Sequence, residues 1–137
     1  LQDFRLSKRA ITSRFAVNMT ATWNKAGKSA DFTILDVTPN IDIFPPASAA
    51  KFSLSFTAAE FDLAENKVIT SGVTIHIDKQ DVTGSAAIAG AVINVALADV
   101  ANSHIVGATI IEFFDANDAP LGLQENAAII SLAAPNA

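Results

Sequence analysis

The chain has no cysteine and no tyrosine, a single tryptophan, and few charges. Each shortage removes a class of function. Without cysteine there is no disulfide framework, no thiolate metal site and no cysteine nucleophile. Sandwich-type sugar-binding modules stack exposed Trp and Tyr faces on sugar rings, and this chain carries nine Phe but almost none of those residues. Trp23 falls on the apolar face of its segment, so a core position is expected for it. Only 17% of the residues are charged, against a usual share of about a quarter. A surface that weakly charged often belongs to a protein that covers part of itself with a partner.

Other signatures are missing as well. No G-x-S-x-G, Walker loop or dinucleotide fingerprint occurs. No apolar run approaches the ~18 residues of a membrane helix. The longest candidate, Ala86 to Val100, is interrupted by Asn94 and Asp99. The chain opens on Leu rather than Met, so a processed or trimmed start is expected, as removal of a secretion signal would leave.

What is present is alternation. Half of the 137 residues are hydrophobic, and the densest stretch runs from Ser85 to Asp115. Such a stretch belongs at the centre of a fold. In Arg14 to Trp23, Phe15, Val17, Met19, Ala21 and Trp23 share one face of an expected strand. Ala30 to Val37 reads as a second strand, broken by Thr38-Pro39-Asn40. Ile41 to Phe44 reads as a short one, ended by Pro45-Pro46. Phe52, Leu54 and Phe56 alternate with Ser53, Ser55 and Thr57. From Ala58 to Leu63 the apolar phase shifts, which a bulge or a short helical turn would explain. In Lys67 to Asp78, Val73, Ile75 and Ile77 point inward, and Gly72 marks a bulge or close contact.

Ala86 to Val100 is apolar on both faces, as a central strand would be. A helix is the alternative, and Gly90 with the β-branched residues favours strand. His104 to Asp115 and Ala127 to Leu132 complete the set. About seven strands with short turns and no βαβ alternation predict an all-β fold, an antiparallel two-sheet sandwich of immunoglobulin-like or jelly-roll-like type. Residues 1–13 form an N-terminal arm, and residues 14–137 form one sandwich domain. The pattern IIEFFDANDAPLG, residues 110–122, resembles hairpins of immunoglobulin-like sandwiches in bacterial surface proteins.

Candidate chemistry is sparse. His76, with Asp78 two residues on, and His104 could be metal ligands, but nothing brings the two histidines together, and ordinary surface histidines fit as well. Asp115, Asn117 and Asp118 resemble the start of a calcium loop. Ala119, Pro120 and the lack of a following bidentate Glu break that pattern, and Asp and Asn also form turns on their own account. Glu60 and Asp62, at i and i+2, share a face, which also describes a solvated edge. Asn18-Met19-Thr20 is a glycosylation sequon in mid-strand. No metal, no cofactor, no small-molecule substrate and no enzymatic activity are expected.

Charge is unevenly placed. Arg5, Lys8, Arg9 and Arg14 against Asp3 give the first fourteen residues +3, and five basic against thirteen acidic side chains give the rest −8. Four cations on an acidic body do not favour nucleic acid. A basic arm on an acidic body can instead dock on its neighbours. The expected function is a structural, self-assembling subunit of an extracellular or cell-surface filament, pilus-like fibre or shell. Its partners would be copies of itself, joined by strand addition through Phe4, Arg5, Leu6, Lys8, Arg9 and Ile11. The alternative is a monomeric binding or adhesion module using loops 38–50, 79–84 and 115–126.

Overall fold

A computed structural model describes residues 4–5, 14–16, 19–24, 29–62, 65, 67–96, 98, 103–122 and 125–135. The chain is mostly strand, arranged in two antiparallel sheets with one short helix among these residues. The strands are β1 (Phe4–Arg5), β2 (Met19–Asn24), β3 (Ser29–Ile34), β4 (Lys51–Asp62), β5 (Lys67–Asp81), β6 (Ala91–Ala96), β7 (Ser103–Phe114) and β8 (Ala127–Pro135). One sheet has the order β1-β8-β7-β4-β5 and the other β2-β3-β6.

The middle of the larger sheet explains the fold. β4 and β7 pair without a break from Lys51↔Phe114 to Asp62↔Ser103. Inward positions recur every second residue, because successive side chains on a strand point to opposite faces. Phe52, Leu54, Phe56 and Ala58 of β4 and Ile105, Ile111 and Phe113 of β7 are buried. Phe32 and Ile34 of β3 and Ile93 and Val95 of β6 join the same core. β2 touches β8, and β6 touches β5 and β4, so the two sheets share that core.

Three expectations need correction. Ile41 to Phe44 is not a strand. Pro39–Asp42 forms α1, a single turn with Pro39 at its start, where proline's missing N–H costs nothing. Asp42 Oδ2 accepts the Thr38 N–H at 2.7 Å, and only Ile43 makes a β-bridge, to Phe15. Second, the apolar run 86–100 is not a central strand. Among its described residues, strand conformation is confined to Ala91–Ala96, at the edge of the smaller sheet, and Ile88 makes only a bridge to Val37. Gly90 tightens that join: a Cβ there would collide with the Ile34 carbonyl oxygen. Third, β4 keeps its phase. Phe61 points outward and Glu60 and Asp62 point inward.

The irregularity lies in β5 instead. Between Phe52 and Leu54, Ala58 and Glu60, and Glu60 and Phe61, the pairing steps one residue further on β5 than on β4. One step spans Gly72, where a bulge was among the expectations. Among the described residues of Arg14 to Trp23, the strand runs from Met19 and Phe15 is buried; residues 17–18 and the side chain of Trp23 lie outside the described residues.

Candidate functional site

The larger sheet has two outer strands, β1 and β5. β1 pairs antiparallel with β8 through Phe4↔Ile130 and Arg5↔Ile129. Phe4 and Arg5 of the expected arm therefore complete the edge of their own sheet. Leu6, Lys8, Arg9 and Ile11 lie outside the described residues.

The arm meets the body at Arg14, which is held from several sides. Its NH2 group reaches Glu125 Oε2 at 2.7 Å, with the two side chains 12% and 28% exposed. Its guanidinium lies 5.8 Å from the centre of the Phe113 ring. Its carbonyl accepts the Phe44 N–H at 2.8 Å, and the Ala16 N–H donates to the Asp42 carbonyl at 2.9 Å. Phe15, between them, packs edge-on against Phe56 with ring centres 6.3 Å apart. An Arg paired to a carboxylate and stacked on an aromatic ring makes a firm root. Glu125 sits two residues before β8, so the root of the arm is tied to the start of the strand that the arm pairs with.

Loops 38–50, 79–84 and 115–126 meet at one end of the sheet. The Asn40 N–H donates to the Gly84 carbonyl at 2.9 Å, Val82 N–H to Ala50 at 3.1 Å, and Ala50 N–H to Phe114 at 2.9 Å. A shallow cleft opens there between Pro39, Gln80, Gly84 and Ile88. The acidic turn closes on itself. Asp115 Oδ1 accepts the N–H groups of Asn117 and Ala119, and Asp118, at φ 63°, pairs with Lys51 at 2.7 Å. The Lys51 hydrogen bond holds the Asp118 carboxyl below the usual range, and the same bond raises the Lys51 ammonium. These oxygens have protein partners, which is the turn-forming role of Asp.

The two histidines lie far apart along β4, His76 opposite Ser55 and His104 opposite Phe61. Ser55 Oγ is 2.9 Å from His76 Nδ1, and His76 Nε2 is 3.9 Å from Asp78 Oδ1. This row of Ser, His and Asp stands on an open sheet face, with the His and Asp side chains 52% and 81% exposed. β4 pairs on both sides, so its amides serve the ladders rather than an oxyanion. No group of three or more His, Asp or Glu among the described residues could hold a metal ion.

The arrangement that sequence reasoning missed is at Glu60, which is fully buried. Its Oε1 accepts the Ala98 N–H and its Oε2 accepts Ser103 Oγ–H, both at 2.7 Å. Neighbouring Asp62 accepts the Glu65 N–H at 3.1 Å. Glu60 thus clasps the connection leading into β7, and Asp62 holds the one leading from β4 into β5. The one available signal was parity: Glu60 and Asp62 fall in step with Phe52, Leu54 and Phe56.

Taken together, the fold makes this an all-β protein of two antiparallel sheets whose notable features are its edges. No protein-family model, curated protein or solved structure matches the chain. No helix among the described residues is long and apolar enough to cross a membrane.

Proposed function

We propose that this chain is a structural, self-assembling subunit of an extracellular or cell-surface filament, pilus-like fibre or shell. It acts as a two-sheet sandwich, immunoglobulin-like or jelly-roll-like, whose arm adds a strand to a neighbouring copy. The observation that carries this reading is the ladder between β1 and β8. It supports residues of the arm as a fitting edge strand for this sheet, and the Arg14 root supports a fixed pivot next to it. The same pairs can form between copies, because the edge of β8 is identical in each. Exchange then trades an intramolecular ladder for an intermolecular one at little change in contacts, so concentration decides the balance. An arm from one copy in the edge of the next is a head-to-tail contact and need not close, which is how fibres grow. The +3 arm segment and the −8 body favour that encounter at low salt.

Electron microscopy and light scattering of the purified chain test the proposal. Large assemblies are expected at high concentration, and removal of residues 1–13 is expected to abolish them. A single-chain particle in both cases would refute it. A second reading, a monomeric binding or adhesion module using loops 38–50, 79–84 and 115–126, is favoured by one observation: the first two of these loops meet at one cleft, between Pro39, Gln80 and Gly84.

A further inference from the structure

The arm holds its edge by little of its own. β1 gives two rungs to β8, Phe4↔Ile130 and Arg5↔Ile129. Two rungs offset little of the backbone freedom that an edge strand gives up. A further hold lies at Arg14. Its backbone belongs to the α1 side: the carbonyl accepts the Phe44 N–H at 2.8 Å, and Phe15 next to it bridges Ile43. Its side chain belongs to the β8 side, reaching Glu125 at 2.7 Å beside the Phe113 ring. Phe113 fastens the same place, because its N–H donates to Asn126 Oδ1 at 3.1 Å. Arg14 thus spans the two sides and starts the arm next to the lead-in of β8. From Glu125 to Ile129 is about 13 Å of extended chain, while the link from Arg14 back to Arg5 can cover about 30 Å. That link reaches the rungs with slack, so tension does not pin them.

The guanidinium is short of partners. Among the described residues Glu125 is the carboxylate it meets, NH1 approaches the Phe44 carbonyl at 3.4 Å, and Nε is enclosed with no acceptor. The side chain is largely buried, and arginine does not shed its charge. A guanidinium deprived of its carboxylate in such a place turns out to water, because an uncompensated buried charge is costly. We infer that Arg14 and Glu125 form a charge-operated latch that keeps the arm on its own β8 edge, and that neutralising Glu125 releases it. Phe15 stays seated against Phe56, so the hinge lies at residue 14 and the body is left as it is. The inference rests on the proposed strand exchange only for what a released arm does next.

Phe4 and Ile130 are directly opposed, at a separation that a disulfide can bridge, and the chain has no cysteine of its own. In the full chain, Phe4→Cys with Ile130→Cys therefore reports whether the arm lies on its own edge. At sub-micromolar concentration and under mild oxidation, the within-chain cross-link is expected to form at least about tenfold more slowly once Glu125→Gln is added. Adding Arg14→Met as well is expected to restore most of the rate, because no stranded charge remains and an apolar side chain can lie on Phe113. A merely structural role for Glu125 gives the opposite order, with the double replacement slower still. Hydrogen exchange over residues 1–13, in chains without the cysteines, repeats the comparison: faster in Glu125→Gln and recovered when Arg14→Met is added. An unchanged cross-linking rate in Glu125→Gln, or no recovery with Arg14→Met, would overturn the latch. So would loss of the β-sheet circular dichroism in Glu125→Gln. Filaments are not read in this test, so a working latch in a chain that never assembles would count against the assembly alone.

Discussion

β4 buries an acid and β6 exposes a valine. Glu60 is fully enclosed in the middle of the larger sheet, while Val92 is 59% exposed at the edge of the smaller one. Both reverse the usual preference, and for different reasons. Position on the strand decides the face, and residue type then decides what that face must supply. On the inner face of β4 a carboxyl group has to find donors, and Ser103 and Ala98 provide them. On the outer face of β6 a valine carries no such obligation, so its exposure costs little.

The sharpest way to break this contrast is to truncate the acid. Glu60→Ala is expected to lower unfolding stability by about 2–3 kcal/mol, because it leaves the buried Ser103 hydroxyl and the part-buried Ala98 N–H without their acceptor. A denaturant midpoint close to that of the unchanged chain would show that water reaches the clasp. Ser103→Ala removes one of the two donors and is expected to cost about 1–2 kcal/mol, measured in the same way. Val92→Thr tests the other side of the contrast. It keeps the β-branch, so its stability in denaturant is expected to stay within about 0.5 kcal/mol of the parent; a larger loss would show that the outer face of β6 is covered.

The smallest effect belongs to the exposed Lys51–Asp118 pair. Lys51→Met is expected to leave the thermal midpoint at neutral pH within experimental scatter, because solvent screens such pairs. The sign is nevertheless fixed. Asp118 titrates lower in the folded chain than in the unfolded one, so whatever the pair contributes is present at neutral pH and is lost as the pH falls through the folded value. Any difference between Lys51→Met and the parent should shrink in acid and in concentrated salt, and one that grew in acid would contradict the assignment.

Much of this architecture is legible in alternation alone. Phe52, Leu54 and Phe56 announce β4, Ile75 and Ile77 announce β5, and the run after His104 announces β7. Pro39 after Thr38 is a helix-start signal, which the apolar Ile41 and Phe44 obscure. The misread places are those where partners distant in sequence decide. Phe61 suggests a change of phase in β4, because only the fold reveals that Ser103 satisfies Glu60. The run 86–100 suggests a central strand because alanine counts as apolar. Yet the length of β6 is set by the six residues of β3 that it pairs with, and by the close approach of Gly90 to Ile34. The arm shows only as a basic segment. Its edge position depends on a register with β8 more than a hundred residues away, and short strands carry little periodic signal.

The antiparallel course of β1 along β8 has a mechanical consequence. Phe4 faces Ile130, and Pro135 lies further along β8 in the direction from which β1 begins. A tug between position 4 and position 135 therefore unfastens this seam one rung at a time, like a zip, rather than straining all its rungs together. The outermost ribbon of the larger sheet would be the first to yield under load.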